Sequence, residues 1–180
     1  LAEEETTGAL ASLGGPRDSY GPRELSQYRS LLGLRPAPVP LRRQLFLNFK
    51  GGTGKTCLSV GYAHGLAEMG QRVLLMDLDS QGHASKCVGF DGETHEGTLY
   101  DVLIKRVPIK QVRVETPLAE LHLVPSNLRM ATIDIALMPL SAREHRLRKA
   151  LDEVAHEYEF IVMDAPPPFG LLNLSAIVGA

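Results

Sequence analysis

Residues 50–56 read Lys-Gly-Gly-Thr-Gly-Lys-Thr, a segment that joins backbone freedom to positive charge. Gly51, Gly52 and Gly54 carry no Cβ, so the N–H groups there can curl around anionic oxygens. Lys55 offers an ammonium to the outer phosphates of a nucleotide, and Thr56 offers a hydroxyl to a magnesium ion. The general phosphate-loop pattern G-x-x-x-x-G-K-[ST] requires glycine at position 49, where this chain has Phe49. A lysine, Lys50, opens the loop instead. A cation at that point can reach outward rather than into its own site.

Three carboxylates accompany the loop. Asp77 and Asp79 follow the apolar run Val73-Leu-Leu-Met76, and Asp164 follows Phe160-Ile-Val-Met163. A carboxylate after four apolar residues is costly to bury unless it holds a metal or hydrogen-bonds a loop. Asp77 and Asp79 alternate along one strand exit, so their side chains are expected on one side. Asp164 suits a magnesium-supporting acid, Asp77 is a further candidate for the metal, and Asp79 is the candidate for aligning an attacking water. The six histidines show no metal-ligand spacing.

Such a loop needs a strand feeding it and a helix leaving it. Leu45 to Phe49 predicts the strand. Leu58, Tyr62, Ala63, Leu66 and Ala67 form a helical stripe that ends at Gly70. Two more buried strands are expected at Val73–Met76 and Phe160–Met163, and a short one at Leu121–Val124. Residues 80–97 read as a loop, and a helix is expected to start near Thr98. Leu128 to Leu137 reads as helical, and Ser141-Ala-Arg-Glu144 as a capping box opening a helix that runs to about Tyr158. Strand–helix alternation with right-handed crossovers implies a three-layer α/β/α fold around a mostly parallel sheet.

Upstream, residues 1–21 read as a flexible tail and 22–33 as a short helix with Leu25, Tyr28 and Leu32 on one face. Residues 35–40 form a proline-rich linker. The domain division is thus 1–40 for the extension and 41–180 for the N-terminal part of a phosphate-loop domain. Arg23, Arg29 and Arg35 are read first as belonging to an ordinary solvated helix with an apolar seam, and contact with DNA phosphates is the less favoured reading.

The chain has 180 residues, 44% of them hydrophobic, and a formal net charge of −2, so no global basic character points to nucleic acid. Two cysteines, Cys57 and Cys87, suggest a reduced compartment without a disulfide framework. No apolar run approaches the length of a membrane span. The chain opens on Leu1 and stops at Ala180 inside an apolar stretch, which reads as a piece of a longer protein.

Five segments in order resemble the ParA group of partition ATPases, in the deviant phosphate-loop class that also holds MinD and the nitrogenase iron protein. They are Asn48–Thr56, Val73–Ser85, Gly97–Leu103, Leu123–Leu128 and Tyr158–Gly170. The run Asp77-Leu-Asp-Ser-Gln81 favours ParA over MinD. The resemblance implies a nucleotide-binding set of Lys50, Gly51, Gly52, Thr53, Gly54, Lys55, Thr56 and Cys57. It implies Lys50 as the signature lysine touching nucleotide in a partner subunit and Asp79 as the acid needed for hydrolysis. Thr56 would hold Mg²⁺ directly and Asp164 through water.

The implied cycle is Mg-ATP binding, closure of a homodimer, non-specific DNA binding, and hydrolysis stimulated by a ParB-like protein. It implies a cytoplasmic, nucleoid-associated protein with no membrane partner, moving a plasmid or chromosome. The DNA-binding residues and the family's later strands would lie beyond residue 180, so the phosphate-loop strand is expected to keep one open edge. The 180-residue piece by itself is expected to fold poorly or associate. Thr53, Cys57 and Ser80 depart from the residues usual at their positions without threatening the loop. A MinD-like membrane-associated ATPase and a nucleotide switch with little turnover are the alternatives. An electron-transfer ATPase is disfavoured, because no cysteine follows Cys87.

Overall fold

A computed structural model describes residues 21–95, 97–167 and 170–180. The expected tail, Gly21 apart, lies outside them. Five strands form one sheet: β1 (Arg42–Phe46), β2 (Val73–Asp77), β3 (Val114–Glu115), β4 (Leu121–Val124) and β5 (Phe160–Asp164). Their spatial order is β1-β5-β2-β4-β3, with β3 antiparallel and the other four parallel. Strands β2 and β5 lie at the centre and are buried throughout, as continuous apolar runs ending in an acid require.

Eight α-helices are described: α1 (Pro22–Leu31), α2 (Lys55–Glu68), α3 (His83–Cys87), α4 (Leu99–Lys105), α5 (Ile109–Val112), α6 (Ile133–Leu137), α7 (Arg146–Val154) and α8 (Leu171–Gly179). Alternation along the strands divides the core in two. Leu74, Met76, Ile161 and Met163 face α4, α5, α7 and α8 through Leu99, Leu103, Ile109, Leu147, Leu151 and Ala176. Val73, Leu75, Leu123 and Val162 face α2 through Ala63 and Ala67. This is the expected three-layer architecture.

Several boundaries differ from the sequence reading. The loop-feeding strand is Arg42–Phe46 rather than Leu45–Phe49. It pairs with β5 alone among the described residues, so its other edge is open. Arg43 anchors it by donating to Asp152 at 2.5 Å and to the Gly179 carbonyl at 3.1 Å. The stretch read as a loop contains the short helix α3. Residues Leu128–Thr132 form a 3₁₀ turn before α6, rather than one helix. The capping box at Ser141 does not form: Ala142 takes a left-handed conformation, a 3₁₀ turn follows, and α7 starts only at Arg146. Only half of the α2 stripe is buried, since Leu58 is 62% exposed while Ala63 and Ala67 are fully covered.

Helix α1 docks on the domain through polar groups. Ser26, 5% exposed, donates to Glu120, and the Arg29 guanidinium donates to the Glu68 carbonyl at 2.6 Å. Leu25 and Leu32, expected to form the seam, remain nearly half exposed. Gly70 makes the docking possible. Its φ is +90°, and a Cβ there would lie 2.8 Å from Arg29 Cδ and 3.0 Å from Pro36 Cδ.

Candidate nucleotide-binding site

Past the end of β1 the chain turns on Asn48, whose side-chain oxygen accepts from the Lys50 N–H at 3.0 Å. Gly52 and Gly54 have φ of +70° and +80°, conformations that L side chains avoid. Gly54 also caps α2, so the free N–H groups and partial positive charge of a 14-residue helix face the loop. The Lys55 ammonium rests on the Lys50 carbonyl at 3.3 Å, and the Thr53 hydroxyl donates to the same oxygen at 3.3 Å. A neutral carbonyl is a weak partner for an ammonium, so Lys55 is held within the loop yet available to an anion. Lys50 is exposed and does not line the cleft.

That cleft, of about 730 Å³, is lined by Gly51 to Cys57, by Asp79, Ser80, Gln81 and His83, and by Pro166 and Pro167. Its size suits a small ligand of nucleotide dimensions. Ser80, Gln81, His83 and the two prolines were not singled out from the sequence as ligand contacts, although Ser80 and Gln81 follow Asp79, and Pro166 follows Asp164, within two residues. Position relative to those acids was the available signal.

The three acids divide their work. Asp164 is 1% exposed; its Oδ2 accepts from the Thr56 hydroxyl at 2.7 Å, while its Oδ1 is buried without a hydrogen-bond partner. Burial pushes the Asp164 carboxyl up, the nearby Thr56 and Ser59 hydroxyls oppose that, and the charges of Asp79 and Lys55 add opposing effects of their own. A buried carboxylate with an orphaned oxygen beside a hydroxyl is a donor set that fits a hydrated magnesium ion. Thr56 and Asp164 are therefore the residues that would hold one.

The sequence reading gave Asp77 to the metal as well, but the structure commits both of its oxygens to the chain. Oδ2 accepts from the Ser85 N–H at 2.8 Å and the Ser85 hydroxyl at 2.7 Å, and Oδ1 accepts from the Asp79 N–H at 3.1 Å. Fully buried, Asp77 is pushed up to about 6 despite those hydrogen bonds. It pins α3 and the Asp79 turn to the end of β2. Asp79 itself lies at the cleft wall, and its Oδ1 accepts from the Gln81 N–H at 3.0 Å. Asp77 and Asp79 thus part company instead of projecting together.

The sequence profile of the AAA domain family matches residues 44–180. The cell division protein PomZ of Myxococcus xanthus is 54% identical over 164 residues, covering 91% of this chain and 51% of that protein. The chromosome partitioning protein ParA of the same organism is 38% identical over 133 residues, covering 74% and 47% respectively. Among solved structures, cobyrinic acid a,c-diamide synthase from Mycobacterium smegmatis, with bound ATP analog and magnesium, is 31% identical. It superposes with a TM-score of 0.74 over 78% of this chain and 55% of that one. The chain spans about half the length of the curated relatives it matches. With its deviant phosphate loop, parallel sheet and relatives of the ParA and PomZ type, this chain belongs to the AAA domain family, in the MinD/ParA class of phosphate-loop ATPases.

Proposed function

We propose that the intact protein binds Mg-ATP, closes into a homodimer, and hydrolyses ATP to position a large cargo along non-specific DNA. The observation that carries this reading is the pairing of an outward Lys50 with a cleft in which Lys55, Thr56 and the orphaned Asp164 oxygen converge. Lys55 exchanges the Lys50 carbonyl for the β- and γ-phosphate oxygens. The amides of Gly51 to Thr56 cradle the phosphate chain, and Asp79 orients the attacking water. Thr56 directly and Asp164 through water would hold a magnesium ion, which would neutralise phosphate charge. Lys50 reaches the nucleotide of the second subunit and absorbs charge in its transition state, a role worth about 10³–10⁵ in rate.

The likeness to PomZ favours the division machinery as cargo, and plasmid or chromosome partition is the second reading. In either case a ParB-like protein stimulates turnover, and the protein works in the cytoplasm on the nucleoid. No described helix is long and apolar enough to cross a membrane.

Sizing the full-length protein with ATP and with ADP tests the proposal. Wild type dimerises with ATP, Lys50→Ala binds nucleotide but stays monomeric, and Asp79→Ala accumulates as the ATP dimer. A Lys50→Ala protein that dimerises like wild type would overturn the cross-subunit role.

A further inference from the structure

A second concave site lies on the helical layer, sharing no residue with the phosphate-loop cleft. It is a pocket of about 400 Å³ between the end of α4 and the start of α7. Three of its walls are cations, Arg106, Arg146 and Lys149, and Glu153 is its one acid among the described lining residues. None of the three cations forms an ion pair with a described carboxylate, and Lys149 does not close the i,i+4 pair with Glu153 that helix geometry offers. The floor is apolar, made by Val102, Val107 and neighbouring carbons.

Two further observations mark the pocket as built. Arg146 is fixed in place by donating to the Leu103 carbonyl at 2.8 Å, yet its Nε is buried without a hydrogen-bond partner. The described non-glycine residues with positive φ are Arg106 (φ 58°) and Ala142 (φ 50°), and both line this pocket. Left-handed backbone at two non-glycine residues of one pocket is a pattern associated with ligand sites. The three cations also outnumber the single acid and oppose each other: Arg146 is pushed down by burial and by the neighbouring Arg106. An anion removes both penalties, and guanidinium forks match phosphate oxygens in pairs.

We infer that this pocket binds a small phosphorylated molecule, its phosphate on Arg106, Arg146 and Lys149 and its apolar body on the Val102–Val107 floor. A duplex backbone is convex and would bridge the rim rather than fill a concave apolar-floored site.

The test uses the full-length protein saturated with Mg-ADP, so that the phosphate loop is filled. Phenyl phosphate, inorganic phosphate and a short DNA duplex are titrated by calorimetry into wild type and into Arg106→Gln/Lys149→Gln, two exposed positions whose replacement spares the core. Phenyl phosphate should bind wild type more tightly than inorganic phosphate, and the variant should bind both about tenfold more weakly or worse. Absence of phosphate binding to wild type, or equal affinity in the variant, would overturn the inference. So would a variant that loses duplex affinity while neither protein binds the phosphates, because the cations would then serve nucleic acid.

Discussion

Around the amino ends of the strands, charge is answered within the chain. Glu159, just before β5, takes the Arg72 N–H at 2.7 Å and the Arg72 guanidinium. Glu157 pairs with Lys110 at 2.8 Å and Arg113 at 2.6 Å, and Glu120 receives Ser26 and Arg29. At the carboxyl ends the bookkeeping is left open. Asp164 keeps a buried oxygen without a hydrogen-bond partner, Lys55 leans on a carbonyl, and the Lys50 ammonium makes no described hydrogen bond or ion pair. Both rims border the same sheet, yet the first is closed by ion pairs, Glu157 Oε1 lying 2.8 Å from the Lys110 ammonium although it accepts no hydrogen bond, while Asp164 Oδ1 has neither a described ion pair nor a hydrogen bond. The contrast locates function where ionisable groups are positioned but incompletely satisfied.

Substitutions on the two rims should therefore separate binding from stability. The largest effect is expected from Lys55→Ala, which removes the cation proposed for the outer phosphates. Nucleotide affinity of the full-length protein should fall by about 100-fold or more, while the melting temperature without nucleotide stays near wild type. Calorimetric titration checks it, and wild-type affinity would break the comparison at once. Asp164→Asn comes next. The amide can still meet the Thr56 hydroxyl but no longer supplies charge, so the gain in nucleotide affinity on adding magnesium should shrink by about 10–100-fold. An unchanged magnesium response would remove Asp164 from the metal's shell.

On the closed rim the same kind of change should do the reverse. Arg72→Ala leaves Glu159, 4% exposed, with only the backbone N–H as partner. Urea unfolding should show a loss of about 1–3 kcal/mol with nucleotide affinity intact. A variant that lost nucleotide binding at unchanged stability would mean the rims are coupled through the sheet.

How much of this was legible in the residues follows from the range of the interactions involved. The loop, the central strands β2 and β5 and their terminal acids are written in contiguous runs, where glycines, apolar quartets and aspartates carry their own signal. Strand β1 was placed too late because Arg42, Arg43 and Gln44 look like linker residues, and their strand character comes from pairing with β5 across the chain. The Asp77–Ser85 pair spans eight residues with no periodic pattern, so Asp77 read as a metal ligand when it is a loop support. Asp134 likewise accepts from the Leu172 N–H at 2.9 Å and caps α8 from a distant segment, made possible because Gly170 leaves no Cβ to strike it. The docking of α1 depends on Gly70 and Glu120, neither of which announces a partner in its own neighbourhood.

The smallest expected effect concerns pH, and it sets the two rims against each other within one measurement. Asp77, pushed up to about 6 from an ordinary 3.8, binds its proton more readily in the folded chain. Its contribution to stability is full below 3.8 and lost as pH rises through about 6. Glu157, held at about 2 by the Lys110 ammonium against burial and by Arg113, behaves oppositely. Its contribution is full above 4.5 and lost as pH falls through about 2. His122, kept neutral by burial and Arg113, loses stability as pH falls through its ordinary 6.5 and so partly masks Asp77. Comparison of wild type with Asp77→Asn isolates the first effect. Between pH 7 and pH 5 wild type should gain about 1 kcal/mol relative to the variant in urea unfolding. Parallel profiles would show that the hydrogen bonds from Ser85 and the Asp79 N–H offset the burial, so that Asp77 titrates alike in the folded and unfolded chain and the upward push is refuted.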